Sequence, residues 1–380
     1  MEVLRPPLPT ETTVFLPPRC PNQRCPEHFH PQADFFRRNG SYDVKCRREA
    51  VPRFICRMCR KGFSRQTFRA DYHDNKPSLN RRVVELLTSG VGLRETARIL
   101  EITRKNFDAK WRKIARHGRL LDLNLKSRSA RANEGGPASP DCRLQFDEFE
   151  TYEGRRNTRP LSIATMIESS TRFIIGAIAA PIRAKGKMSP GRLNAIDRED
   201  AMEGRRIDRT RVSCRSVFRS AAKLWPNAKC VCLETDQKST YPGLFAEAFA
   251  HRRREHVTVS GKAPRGAGSV LLPINETEAV LREHVGRVRR NSWLTSKLRT
   301  YLNLFLPLYT AWKNWVIPLR QEVESSPGVR AGMAPRNLSL GEMLGWRQDW
   351  QQRSPCPFSN GVDTMGTPLQ CALPGGLIPA

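Results

Sequence analysis

The stretch Leu144–Glu150 reads LQFDEFE, and its alternation decides the fold. Leu144, Phe146 and Glu148 fall on one side of an extended chain, Gln145, Asp147 and Phe149 on the other. A period of two over apolar and polar residues marks a half-buried strand. An acid at the centre of such a strand is costly, because a buried charge demands a neutralising partner. Asp147, followed directly by Glu148, therefore calls for a metal ion or a cationic side chain. The plainer alternative is an edge strand whose polar face lies in water.

Around this strand, residues 142–318 read as one α/β domain. Two apolar runs, LSIATMI and RFIIGAIAA, are joined by Glu168-Ser169-Ser170-Thr171, so the first three strands form an antiparallel meander. Residues 183–207 read as a basic, irregular insertion, and a helix follows over Val212–Leu224. KCVCLETD is a fourth strand ending at Asp236, with Cys230 and Cys232 as core thiols. A helix over Tyr241–Phe249, a short strand HVTVSG and a long helix beginning near Glu276 complete the domain. This order is that of an RNase H-like fold, in which the first and fourth strands are neighbours. Asp147 and Asp236 then meet. Two carboxylates forced together repel unless a cation lies between them. Magnesium or manganese, with oxygen ligands, is the expected cofactor. Two such ions, about 3.5–4 Å apart, activate a hydroxyl nucleophile and stabilise the leaving oxygen in phosphodiester chemistry.

The 380-residue chain is long enough for two or three domains and carries a formal charge of +28. Its pI is about 10.4. That excess favours a polyanionic partner, nucleic acid before an anionic membrane surface. No apolar run approaches a membrane span of about 20 residues. No charged-then-apolar leader is read at Met1, where Pro6, Pro7 and Pro9 interrupt the start. In the reducing compartment this implies, the eleven cysteines are ligands and core thiols rather than disulfides.

The first 141 residues divide into four pieces. Residues 1–19 are a Pro-rich, flexible lead-in. Residues 20–75 read as a small zinc-ribbon β module. Cys20 and Cys25 in CPNQRC, with Cys56 and Cys59 in FICRMCRKGFS, supply four thiolates to a structural, tetrahedral zinc. The first pair has four residues between its cysteines, and His28, His30 or Cys46 are alternative ligands. Without the metal the segment has few large apolar residues to hold it together. Residues 76–123 read as a helix-turn-helix α module. Val83, Val84, Leu86 and Leu87 line a first helix ended by Gly90 and Gly92. Leu93, Ala97 and Leu100 pack a second helix, and Thr103 caps a third. On that third helix Phe107, Trp111 and Ile114 share one buried face. Its other faces carry Arg104, Lys105, Asn106, Asp108 and Arg112, which suits insertion into a major groove of double-stranded DNA. The usual turn glycine is missing, with Glu101 in its region. Residues 124–141 read as a small, polar, Gly- and Pro-rich linker.

Zinc ribbon, helix-turn-helix and RNase H-like domain, in this order, resemble the insertion-sequence-one type of bacterial DDE transposase. The matching pieces are FICRMCRKGFSR, RETARILEITRKNF, FDE around Asp147 and TDQKSTYP around Asp236. INETEAVLREHVGRVRRNSWLTSK and the tail LYTAWKNW also match, so the resemblance spans residues 20–318. It implies a DNA transposase that binds the element's terminal inverted repeats and target, cleaves and transfers strands, and assembles as a homo-oligomer on DNA. It also implies a cytoplasmic, nucleoid-associated protein of bacteria, with Asp147 and Asp236 as catalytic metal ligands. The sequence departs from the family at the third acid. With Arg282 set opposite the arginine that follows the family's glutamate, that glutamate's position falls on Asn275. A one-residue shift to Glu276 restores an acid; Glu278 ranks below both, because with Asn275 it also reads as an N-cap and capping-box pair. The expected third residue is Glu276, with Asn275 next. Arg282, Arg289 and Arg290 are expected along the DNA path. The missing glutamate also motivates an alternative, a catalytically inactive transposase-derived DNA-binding protein or repressor. Residues 319–380 read as a mostly disordered tail, apart from one short helix in LSLGEMLGWRQDW.

Overall fold

The computed structural model describes residues 15–22, 24–43, 50–134, 141–260, 266, 268–289, 294–319 and 323–346. Two compact units emerge, one ending at His73 and the other running from Asp74 to Trp346. Together they are a mixed α/β protein with two sheets. Arg290, Cys46 and the chain beyond Trp346 lie outside the described residues.

The first unit holds a short helix α1 (Pro26–Phe29) and the strands β1 (Phe36–Tyr42), β2 (Val51–Cys56) and β3 (Gly62–Ser64). The strands form an antiparallel sheet in the order β1-β2-β3. Its core is a cluster of Phe35, Phe54, Phe63 and Phe68 with Cys20, Cys25 and Cys56, and Phe15 packs against it. An apolar core this small gives a fold little stability of its own.

The second unit opens with three helices, α2 (Asn80–Thr88), α3 (Leu93–Ile99) and α4 (Arg104–Glu134). Val83, Val84 and Leu87 are buried on α2, and Phe107, Trp111 and Ile114 on α4. Thr103 accepts from the Asn106 N–H at 3.4 Å, as a cap does. Between α3 and α4, Glu101 has φ +51°, the left-handed conformation that glycine adopts without strain. Lys110 locks the bundle's start: its ammonium meets Asp74 at 2.5 Å, the Lys76 carbonyl at 2.8 Å and Asn80 Oδ1 at 2.9 Å.

Helix α4 runs eleven residues beyond the expected end at Leu123, through the first part of the expected linker. The cause is burial. Leu121 and Leu125 are enclosed, and Asp122 accepts from Trp315 Nε1 at 2.8 Å and from Lys126 Nζ at 2.7 Å. The Gly135-Gly136 pair follows directly after the helix's last residue, Glu134.

The large sheet comprises β4 (Cys142–Tyr152), β5 (Pro160–Glu168), β6 (Phe173–Pro181), β7 (Cys230–Asp236) and β8 (Arg253–Val259). Its order is β6-β5-β4-β7-β8, so β4 is central, antiparallel to β5 and parallel to β7. The remaining helices are α5 (Pro190–Glu203), α6 (Thr210–Leu224), α7 (Tyr241–Ala248), α8 (Leu272–His284), α9 (Arg299–Trp315), α10 (Pro327–Arg330) and α11 (Leu340–Gly345). Strand β4 is covered on both faces, not one. Phe146 packs on Phe218 of α6 and Tyr241 of α7, while Gln145 and Phe149 meet α8 on the other side. Edge strand β6 is closed by α9, whose Asn303 and Asn314 side chains each pair with one residue's N–H and C=O, at Ala179 and Ile174. Satisfying an edge this way removes a template for strand addition.

Two more segments differ from expectation. The insertion at 183–207 contains helix α5, started by Ser189 and Pro190. It has no apolar stripe to read in the sequence; its buried residue is Glu199, ion-paired with Arg159 at 3.3 Å. Residues 323–346, expected within a mostly disordered tail, are folded. Ser339 caps α11 in a capping box with Glu342, and His117 of α4 bonds the Met343 carbonyl at 2.8 Å.

Candidate functional site

In the first unit the four cysteines converge. Their sulfur atoms all lie within 4.8 Å of one another, with Cys20 and Cys59 at 3.5 Å and Cys25 and Cys56 at 3.9 Å. A tetrahedral zinc with Zn–S of about 2.3 Å needs sulfurs roughly 3.8 Å apart, so this set can bind zinc. Each pair sits on a tight turn. The Cys25 N–H reaches the Asn22 carbonyl at 3.0 Å, and the Cys56 N–H reaches that of Lys61 at 3.0 Å, with Arg60 at φ +61°. Burial alone would raise the Cys59 thiol. The Lys61 backbone, the Asn22 side chain and the Cys20 and Cys25 thiols together bring it down to about 7. His28 is not a ligand: its Nδ1 bonds the Cys20 carbonyl at 2.7 Å, and His30 is exposed.

In the second unit the acids are set by sheet register. The parallel β4–β7 ladder pairs Leu144 with Leu233 and Gln145 with Glu234. The ladder ends at that pair; Asp147 lies two residues beyond it on β4 and Asp236, the last residue of β7, two residues beyond it on the other strand. Neighbours in a parallel ladder project to the same face. Here that is the α8 face, because Gln145 on it bonds the Ile274 N–H of α8. Each acid has one oxygen held by nearby backbone. The Glu148 N–H donates to Asp147 Oδ1 at 2.7 Å, and the Lys238 N–H to Asp236 Oδ1 at 3.1 Å. Burial first, then the charges of Glu148, Asp236 and Asp147, push the Tyr241 hydroxyl far upward, so it stays protonated.

Helix α8 carries the third candidates, and it starts earlier than expected. Leu272 is its first residue and Pro273 its second, where a missing N–H costs nothing. Asn275 is therefore inside the first turn, its N–H bonded to the Leu271 carbonyl at 3.1 Å, and it is not the cap. Gln145 holds this end of the helix. Its Oε1 accepts from the Ile274 N–H at 2.9 Å, and its Nε2 donates to the Val270 carbonyl and Glu234 Oε2, both at 2.6 Å. Glu276 is 36% exposed and pairs with Arg172 of the β5–β6 turn at 3.0 Å. Glu278 is only 7% exposed, on the buried face of α8 with Ile274, Thr277 and Leu281. Among the described residues the cysteine set is the one group of three or more His, Cys, Asp or Glu ligands within 4.8 Å; the acids do not form another.

The basic candidates separate into two kinds. Arg104, Lys105 and Asn106 are exposed at the start of α4. Asp108 is engaged internally, by Arg104 Nε at 2.9 Å and Trp111 Nε1 at 3.2 Å, and Arg112 Nε donates to its carbonyl at 2.8 Å. Arg282 stacks over the Phe149 ring at 4.5 Å, and Arg289 pairs with Glu283 at 2.9 Å. Gln145 and Lys238 are polar residues of this region that the pattern did not single out, whereas Glu148, read with Asp147 as calling for a cation, meets Lys238. The signal was present: a glutamine two residues before Asp147 and a lysine two after Asp236.

No protein-family model matches the chain. No curated protein matches it either. Among solved structures, a chain of the cryoEM structure of the simian T-cell lymphotropic virus intasome in complex with PP2A regulatory subunit B56 gamma is similar at 10% sequence identity. The similarity has a TM-score of 0.21 and covers 54% of this chain and 70% of that one. A TM-score this low fixes neither fold nor activity. Among the described residues no helix is long and apolar enough to cross a membrane.

Proposed function

We propose that this protein is a DNA transposase of the DDE type, with a zinc ribbon, a helix-turn-helix and an RNase H-like catalytic domain. The observation that supports this reading is the parallel β4–β7 register, whose last pair, Gln145 with Glu234, lies two residues before Asp147 and Asp236, on the face where Gln145 meets α8. The donors there are carboxylate oxygens, the chemistry that fits magnesium or manganese. Bound there, the metal would supply an activated hydroxyl nucleophile and stabilise the leaving oxygen of a phosphodiester. Asp147 and Asp236 would hold it. For the third ligand, expected at Glu276 or Asn275, we favour Glu278. It is the buried acid of α8, one turn beyond Asn275, whereas Glu276 is engaged by Arg172. Arg104, Lys105 and Asn106 would enter the major groove of the terminal inverted repeats. Arg282 would meet phosphate near the acids. Zinc would hold the cysteine unit, and the protein would act as a homo-oligomer on paired element ends at the bacterial nucleoid.

Asp147→Asn should abolish magnesium- or manganese-dependent nicking of terminal-repeat DNA, by at least about 1,000-fold, the scale of losing a major electrostatic element of catalysis. DNA binding should be unchanged in a mobility-shift assay. Persistent nicking would remove Asp147 from the site. A second reading, a catalytically inactive DNA-binding relic or repressor, is motivated by Asn275 at the position of the family's glutamate. It predicts binding to the repeats with no nicking at any metal concentration.

A further inference from the structure

Glu148 lies on the opposite side of β4 from the acid site, yet its charge is the most heavily engaged in the sheet's centre. Its side chain is 7% exposed and ion-paired with Lys238. Ser162 Oγ donates to Oε1 at 2.8 Å and Tyr241 OH to Oε2 at 2.9 Å. The Cys214 thiol of α6 lies against the same carboxylate. These partners come from β5, α6, α7 and the loop after β7, so Glu148 gathers four elements at one point.

The two ends of the Glu148–Lys238 pair have a second property in common. The backbone N–H of Glu148 holds Asp147 Oδ1, and the backbone N–H of Lys238 holds Asp236 Oδ1. The ion pair therefore joins the two residues whose main chains orient the two acids. The β4–β7 ladder itself stops at Gln145–Glu234, two residues short of those acids. Past the last pair, the spacing of Asp147 and Asp236 depends on whatever ties the loop after β7 back to β4. Side-chain ties of this kind set ligand geometry and affinity at metal centres.

We propose that Glu148 is a positioning residue for a divalent-cation site at Asp147 and Asp236, acting through Lys238 to fix the separation of the two carboxylates. This rests on the metal-site reading above. Glu148 touches neither metal nor DNA in this role.

The test is manganese binding to the full-length, zinc-loaded protein, measured by electron paramagnetic resonance, alongside terminal-repeat DNA binding. Glu148→Gln keeps the side chain's shape and removes its charge. Lys238→Met breaks the same pair from its more exposed end, so it reports even if Glu148→Gln folds poorly. Each should weaken manganese binding about tenfold. The double variant should be no weaker than the worse single one, because both changes cut one connection. DNA binding should hold at the wild-type level. A merely structural Glu148 would lower the melting temperature and leave manganese affinity unchanged below it, which would overturn the proposal. Additive losses in the double variant would overturn it too. Asp147→Asn separates the metal site from the role of Glu148. If that variant binds manganese normally, the metal-site reading fails and the Glu148 role with it. If it loses manganese while Glu148→Gln and Lys238→Met bind as the wild type does, only the role of Glu148 fails.

Discussion

The two units assemble their candidate sites in opposite ways. The cysteine unit draws its ligands from two short turns, Cys20–Cys25 and Cys56–Cys59, around a core of a few phenylalanines. The proposed acid site would draw on Asp147, Asp236 and α8, which come from segments far apart in sequence and are placed by one strand register inside a large core. In the first unit a bound zinc would hold the fold; in the second the fold would hold the site. Metal should therefore matter to folding in one and to activity in the other.

The largest effect tests that contrast directly. Removing zinc with a chelator, or Cys56→Ser, should unfold the cysteine unit, since structural zinc contributes about 10–16 kcal/mol to such modules. Hydrogen exchange should show protection lost over β1–β3 and kept over β4–β7. Loss of protection in both regions would break the comparison.

A mid-sized effect probes the register-built site. Gln145→Leu keeps the volume but strands the Ile274 N–H, the Val270 carbonyl and Glu234 in a buried place. Leaving such groups unsatisfied should cost about 3 kcal/mol. Urea denaturation should show the loss, with faster exchange at the start of α8 and unchanged zinc content. A loss under about 0.5 kcal/mol, the size of an ordinary surface change, would mean that α8 is anchored elsewhere.

The smallest effect concerns the turn between α3 and α4. Glu101→Gly relieves a left-handed backbone and should stabilise the protein by about 0.5–1 kcal/mol, read as a raised melting temperature. A destabilised variant would show that the glutamate's contribution outweighs the strain.

Much of this was legible in the chain. The spacing of Cys56 and Cys59, the apolar face of Phe107, Trp111 and Ile114, and the alternation around Asp147 are local patterns, and local patterns survive in a linear sequence. The meander of β4, β5 and β6 followed from runs separated by short turns. Helix α5 left only its Ser189-Pro190 start in the sequence, because its buried residue is the ion-paired Glu199 and not an apolar stripe. The extension of α4 is not legible in the local pattern because Leu121 and Leu125 are buried by tertiary packing. Asn275 and Glu278 looked like a capping pair because their spacing fits one, while Pro273 and Gln145 start the helix a turn earlier.

Sequence by itself determined which residue types were available: four thiols in two turns, acids on strands, and a basic helix with one apolar face. Tertiary structure alone decided which strands run side by side, which carboxylate of α8 is buried, and that Lys238 neutralises Glu148. The physical reason is that a side chain's period along a strand or helix is intrinsic to the backbone, whereas its partner across the sheet is chosen by the packing of the whole core.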